Sequence, residues 1–264
     1  MIPIGGNETH SPNSEIFQEM IRLAGGSNSR IVIVPTASDE PRERARDYHK
    51  FLSTFKPHSL QTVHIGERSD AGKAGLLETI SEATLFLFCG GDQLRLSSLI
   101  GGTPLHQGLI DRYKSGECVI AGTSAGAAVL PEIMIFQNNN FRLFRKGGIE
   151  MTKGLGLIQD MIFDTHFIQR SRISRLVNAV ASNPALLGLG IEENTAIVIE
   201  DETKARIVGS GTVIVVDGRN IGLNHIGYSE NGKPFALTNV MYSIMTTGVV
   251  FDIKKRMVID PGPT

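Results

Sequence analysis

Only two cysteines, Cys89 and Cys118, occur in 264 residues. A disulfide-dense scaffold is thereby excluded. Both lie in apolar runs that read as strands, where a small thiol behaves as a buried core residue, so free thiols are expected. A reducing compartment, the cytoplasm, matches that expectation. No apolar stretch reaches the roughly 18 to 20 residues of a membrane span, and no membrane association is expected. The opening Met1-Ile2-Pro3-Ile4-Gly5-Gly6 has no basic region followed by a long apolar segment, so no secretory signal is read there. Excess charge of one sign is missing too: the formal net charge is −1. That gives no reason to expect nucleic acid or an anionic surface as a partner. There is no internal repeat, low-complexity tract or long linker, and the length suits one domain over residues 1–264.

What is present is the composition of a globular chain, with 41% hydrophobic and 20% charged residues, enough to bury a substantial core. Ile31 to Val34 is a short all-apolar run ending at Pro35, as expected of a strand buried on both faces. Ser38 to Pro41 offers a cap and a proline for the first turn of a helix reaching about Phe55. Thr62 to Ile65, Leu85 to Cys89 and Cys118 to Ala121 read as further strands. Strands separated by helical segments predict a three-layer α/β fold, a mainly parallel sheet flanked by helices. The last third differs. Thr195 to Glu200, Ala205 to Gly209 and Thr212 to Val216 are β-branched runs, and Asp217-Gly218 and Asn231-Gly232 signal tight turns. These predict antiparallel strands appended to the sheet.

The most informative segment is Val119-Ile120-Ala121-Gly122-Thr123-Ser124-Ala125-Gly126-Ala127-Ala128. An apolar strand runs into Gly-x-Ser-x-Gly and then into small helix formers, the pattern of a nucleophile elbow. Ser124 is the candidate nucleophile, projecting where doubly wound sheets place their sites. The amide of Ala125 can donate to an oxyanion, and Gly91 in the loop Phe88-Cys89-Gly90-Gly91-Asp92-Gln93 can bring a second amide beside it. Gln93 can reach a substrate. Simple turn chemistry accounts equally well for that second loop.

A serine nucleophile needs a base. His10, His49, His58, His64 and His225 lie in polar or loop-like settings, and His106 sits near a helix start. All six read as surface or structural residues. His166 closes the apolar run Met161-Ile162-Phe163 at a strand end, as Ser124 does. Glu193, in Glu192-Glu193-Asn194-Thr195, is the candidate orienting acid, although adjacent carboxylates between strands also suit a solvated turn. The order Ser, His, Glu differs from the Ser, Asp/Glu, His order of α/β-hydrolases and indicates another serine-hydrolase lineage.

Several blocks taken in order resemble the cyanophycinases, serine peptidases with a fold like that of class I glutamine amidotransferases. They are Ile2-Pro3-Ile4-Gly5-Gly6-Asn7-Glu8, Pro35-Thr36-Ala37-Ser38, Gly90-Gly91-Asp92-Gln93, Gly122 to Ala128, His166-Phe167 with Gln169-Arg170, and Gly188 to Ala196. The resemblance spans nearly the whole chain. It implies a Ser124, His166, Glu193 triad, oxyanion amides from Gly91 and Ala125, and no metal or other cofactor. It further implies a substrate pocket using Gln93, Asp164, Arg170, Arg172 and Arg175, and a homodimer. The implied substrate is cyanophycin, a polyaspartate carrying arginine on its side chains, released as β-Asp-Arg dipeptides. Asp164 would accept a substrate guanidinium and the arginines its carboxylates. Within Ile168 to Ala181, Ile173, Leu176, Val177 and Val180 form one helical face, with Arg172 and Arg175 on a neighbouring flank. Thr165 departs from the family, which usually has glutamine there. That departure keeps a related aspartyl dipeptidase as the alternative, beside a catalytically silent binding protein on the same scaffold.

Overall fold

Short all-apolar runs become strands buried on both faces, and the chain wraps helices around them. The computed structural model describes residues 1–138 and 144–262. The first half runs β1 (Ile2–Ile4), α1 (Glu15–Leu23), β2 (Arg30–Val34), α2 (Pro41–Leu52), β3 (Ser59–Thr62), α3 (Ala74–Glu82), β4 (Leu85–Phe88), α4 (Gln93–Ile100), α5 (Pro104–Lys114), β5 (Val119–Thr123) and α6 (Ala125–Ala128). There follow β6 (Ile133–Asn138), β7 (Ile149–Lys153), β8 (Met161–Asp164), α7 (Ile173–Ser182), β9 (Leu187–Ile191), β10 (Thr195–Glu200), β11 (Lys204–Gly209), β12 (Val213–Asp217), β13 (Met241–Met245), β14 (Val250–Asp252) and β15 (Met257–Asp260).

The main sheet has the order β15-β14-β11-β10-β1-β5-β4-β2-β3. Strands β1 to β5 are mutually parallel, and β10 joins them antiparallel through Ile4 opposite Ala196. Strand periodicity sends alternate residues to opposite faces. Ile31, Ile33, Leu85 and Leu87 pack with Ile16, Phe17 and Met20 of α1 and with Tyr48, Phe51 and Leu52 of α2. Val32, Val34, Phe86 and Phe88 pack on the other side with Ile80, Leu96, Ile100 and Leu109. Each such large side chain contributes roughly 1.5–3 kcal/mol by leaving water, which is why these runs tolerate no polar residue. The helix starts are local. Pro41 and Pro104 sit in first turns, and the Asp92 side chain accepts from the amides of Leu94 and Arg95 at the start of α4. Ser38 does not cap α2. Glu40 holds that position, and the Ser38 hydroxyl instead accepts from the Glu40 amide.

Three further expectations are corrected. The edge strand β3 ends where the strand read from Thr62 to Ile65 was to begin. Its register pairs Ser59 to Thr62 with Arg30 to Ile33, and the Ile65 amide is taken by the Thr36 hydroxyl of a loop. Second, β12 is not appended to the main sheet. It joins a four-stranded sheet of order β13-β12-β9-β8. Val213 and Val215 face the core shared with the main sheet, while Ile214 and Val216 pack under Leu176, Val177 and Val180 of α7. Third, the turn at Asp217-Gly218, closed by the Ile221 amide on the Gly218 carbonyl, does not join two adjacent strands directly, because β12 pairs with β13 only after residues 218–240. The buried Asp217 carboxylate accepts from the Arg219 amide and pairs with Arg219 and Arg256. Both cysteines are buried and free, and burial pushes the thiols up to about 12 for Cys89 and about 11 for Cys118. Among the described residues no helix is long and apolar enough to cross a membrane.

Candidate active site

Ser124 sits between β5 and α6 at φ 54° and ψ −116°, a conformation that costs a non-glycine residue of order 1–3 kcal/mol and persists only where the surroundings enforce it. Here they do. A Cβ at Gly122 would lie 2.2 Å from the Gly126 carbonyl oxygen, and one at Gly126 would lie 2.1 Å from that of Phe88. The two glycines of Gly-x-Ser-x-Gly are thus required by close backbone approach. The helix that follows is short, four residues of α6.

His166 ends the β8 segment of the second sheet, also at positive φ (48°). Glu193 lies in the crossover from β9, in the second sheet, to β10, in the main one. The convergence of the two sheets brings the three side chains together. His166 Nε2 lies 2.9 Å from Ser124 Oγ, and His166 Nδ1 lies 2.7 Å from Glu193 Oε1. This arrangement can pass the serine proton to the imidazole while the carboxylate stabilises the cation that forms. Desolvation dominates at His166 and lowers its pKa below the ordinary 6.5, against the raising hydrogen bond from Glu193. The His166 hydrogen bond, then the Asn7 bond, holds Glu193 below the usual carboxylate range.

The imidazole acts as base only when neutral, and it is neutral above its pKa. The acid limb of kcat/KM is therefore expected below pH 6.5, with activity rising as pH increases through it and a plateau at neutrality. A limb centred above pH 7 in a rate–pH profile would contradict this.

Beside the relay is a cavity of about 520 Å³ lined by Asn7, Glu8, His10, Arg44, Tyr48, Gly90, Gly91, Thr123 and Arg170 together with Ser124, His166 and Glu193. Gly91, at φ 145°, is pressed against Ala37, whose carbonyl oxygen a Cβ would meet at 2.0 Å. A Cβ at Gly90 would stand 3.2 Å from that of Ser124. Among the described residues neither the Gly91 nor the Ala125 amide has an acceptor.

The other expected binding residues divide differently. Arg170 lines the cavity, but Gln93 does not; its amide donates to the Ile135 carbonyl and ties α4 to β6. The Asp164 side chain is fully buried, and Arg175 grips it through both Nε and Nη2, with Arg172 Nη1 at 3.4 Å. The Asp164 carboxylate, expected to accept a substrate guanidinium, is taken here by the chain's own arginines. Thr165 is buried, and its carbonyl accepts from Arg172 Nη1 at 2.6 Å. The helical flank is also revised, because α7 starts at Ile173, leaving Arg170 in a turn and Arg172 at the cap. Asp164→Asn leaves two part-buried guanidiniums without their counter-charge and is expected to lower the unfolding free energy by about 3–5 kcal/mol. Denaturant titration checks this, and a change under 1 kcal/mol would contradict it.

Sequence reasoning missed Asn7, Glu8, His10, Arg44 and Tyr48. Glu8 is buried, accepting from the hydroxyls of Tyr48 and Thr123. His10, read as a loop residue, stacks on Phe51 at 4.7 Å and 5°, and burial lowers its pKa. The polar letters directly after the first strand were the available signal for Asn7 and Glu8. Nothing local marked Arg44 and Tyr48. His106 is structural as expected, with Nδ1 accepting from the Gly102 amide and Nε2 lying 2.6 Å from the Leu155 carbonyl. Among the described residues no group of three metal-ligating side chains occurs.

The family model described as Peptidase family S51 matches residues 1–207. A cyanophycinase of Synechococcus elongatus is 32% identical over 258 residues, covering 98% of this chain and 80% of the relative. A cyanophycinase of Geminocystis herdmanii (strain PCC 6308) is 34% identical, covering 94% and 91%. Among solved structures, a peptidase from an acI-B1 Actinobacterium superposes with TM-score 0.69 at 23% identity, covering 95% of each chain, which shows a shared fold. A putative peptidase E of Listeria monocytogenes EGD-e does so with TM-score 0.54 at 14% identity, covering 80% of this chain and 98% of that one.

Proposed function

The chain belongs to peptidase family S51 and is a serine-type peptidase, and from that premise we propose that it hydrolyses cyanophycin to β-Asp-Arg dipeptides. The observation that carries the reading is the continuous hydroxyl–imidazole–carboxylate relay of 2.9 and 2.7 Å opening onto a charged cavity. Ser124 Oγ attacks the carbonyl carbon of an aspartate-backbone peptide bond. His166 Nε2 takes the hydroxyl proton and hands it to the departing amine, and Glu193 stabilises the imidazolium between the two transfers. The amides of Gly91 and Ala125 receive the oxyanion. Water, deprotonated by His166, then attacks the acyl carbonyl, and the imidazolium returns the proton to Ser124 Oγ as the acyl group leaves. These steps use only protein groups and water.

The substrate's charges suit this cavity. Each unit of cyanophycin carries a guanidinium and one free carboxylate, both on its arginine, the terminal unit carries a further backbone carboxylate, and a guanidinium binds a carboxylate with a planar fork. Arg172 and Arg175 are committed to Asp164. Arg44 and Arg170 line the cavity and, among the described residues, have no carboxylate partner, so they are the cations left for substrate. The same reading includes one domain over residues 1–264, supported by the length and the lack of a long linker, a cytoplasmic setting, supported by the free thiols, and a homodimer, supported by the family resemblance.

The test is incubation of the intact protein with insoluble cyanophycin and identification of products by mass. Soluble β-Asp-Arg is expected. Cleavage of α-aspartyl dipeptides with cyanophycin left intact would reject the substrate while keeping the peptidase.

A further inference from the structure

The turn after β1 touches every part of the relay. The carbonyl of Ile4 accepts from the Ser124 amide at 3.0 Å, that of Gly5 from the His166 amide at 2.8 Å, and that of Gly6 from the Asn194 amide at 2.9 Å. Three successive carbonyls thus receive the three chain segments that carry hydroxyl, imidazole and carboxylate. The local sequence suits close approach. A Cβ at Gly5 would lie 1.8 Å from the Glu192 carbonyl oxygen, and one at Gly6 would lie 2.4 Å from the His166 ring. Asn7 takes φ 48°, a left-handed conformation that asparagine accepts more readily than most residues. From there its Nδ2 donates to Glu193 Oε2 at 2.8 Å, while Oε1 of the same carboxylate faces His166 Nδ1 at 2.7 Å.

We propose that Asn7 is a positioning residue of the relay, fixing the rotation of the Glu193 carboxylate so that its other oxygen stays on the imidazole. A carboxylate on a part-exposed side chain (25%) is free to turn toward water unless both oxygens are held. Asn7 contributes the second hold, and the backbone carbonyls beside it set the distances among the three segments. The inference rests on the serine-hydrolase reading of the site but not on the identity of the substrate.

The test uses the full chain and a fluorophosphonate probe, whose rate of reaction with Ser124 reads the nucleophile directly. Asn7→Gly deletes the amide and keeps the left-handed backbone. Labelling is expected to slow by about 10-fold or more, as misplacement of a catalytic group does. With the peptide substrate, kcat is expected to fall with KM unchanged. The charges that act on the imidazole are Glu193, which raises its pKa, and Arg170 and Arg172, which lower it. Releasing Glu193 removes the raising influence, so the acid limb of labelling moves to lower pH. Asn7→Asp adds an anion instead and moves the limb to higher pH, again with slowed labelling. Opposite limb movements are not produced by a purely structural role. Wild-type labelling rate in Asn7→Gly, loss only in proportion to the unfolded fraction, or a rise in KM alone would overturn the proposal. Failure of the wild-type protein to label would instead overturn the hydrolase reading itself.

Discussion

Ser124→Ala is expected to lower kcat by roughly 10⁴ to 10⁶ while the protein remains folded. The magnitude follows from the role of the hydroxyl. Without it no acyl-enzyme forms, and His166 and Glu193 have no proton to relay, so what survives is the small rate supplied by oxyanion amides and binding. Stability should not suffer. The backbone at 124 is as unfavourable for serine as for alanine, and among the described residues Oγ bonds only to His166. Two measurements check the prediction together: steady-state turnover, and labelling by the fluorophosphonate probe with thermal unfolding as the control. Equal labelling of wild type and Ser124→Ala would move the nucleophile elsewhere.

Gly6→Ala is expected to cost kcat about 10² to 10⁴-fold although every relay residue is retained. The added methyl would sit 2.4 Å from Cε1 and 2.5 Å from Nε2 of His166. Carbon atoms rest at about 3.5–4.0 Å, so the imidazole must swing by on the order of 1 Å, away from a hydroxyl now 2.9 Å distant. A displacement of that size at a catalytic group has consequences of this order. The backbone adds its own cost, since φ is 99°, and about 1–3 kcal/mol of stability is expected to go with it. Gly26→Ala is the matched control, with φ 62° and nothing within 4 Å of the new methyl. It should lose some stability and no activity. Full activity in Gly6→Ala would show that the ring tolerates displacement and that the relay distances do not limit the rate.

The side chains that meet at the candidate site were legible in the sequence wherever their signal is local. Gly122, Ser124 and Gly126 stand in one pentapeptide, because the glycines relieve clashes within a single tight turn and with one neighbouring strand. His166 was distinguished from six other histidines by its place at the end of a buried run. The central parallel strands β2, β4 and β5 were readable because burial on both faces demands unbroken apolar runs, whereas the half-exposed edge strand β3 carries no such run. What no local pattern showed was the partner each charge takes. Asp164 has an acidic letter that suits a substrate guanidinium equally well, yet Arg172 and Arg175 reach it first after the chain turns through Ile168 to Arg172. Tyr48 and Arg44 lay in a helix read only from its start, and Glu8 came just after the first strand with nothing to say where its carboxylate would point.

By itself the sequence determined the buried strands β2, β4 and β5, the helix start at Pro41, the Ser124 turn and the family, since each depends on neighbours within a few residues or on ordered blocks along the chain. Only the tertiary structure decided which charges are spent and which remain. Asp164 closes on two arginines, Arg44 and Arg170 stay open to the cavity, and β9 and β12 leave the main sheet to form a second one. The physical reason is that a charged or hydrogen-bonding group takes whichever partner lies within about 3 Å. That distance is set by the packing of segments far apart in the chain, which no local pattern of residues encodes.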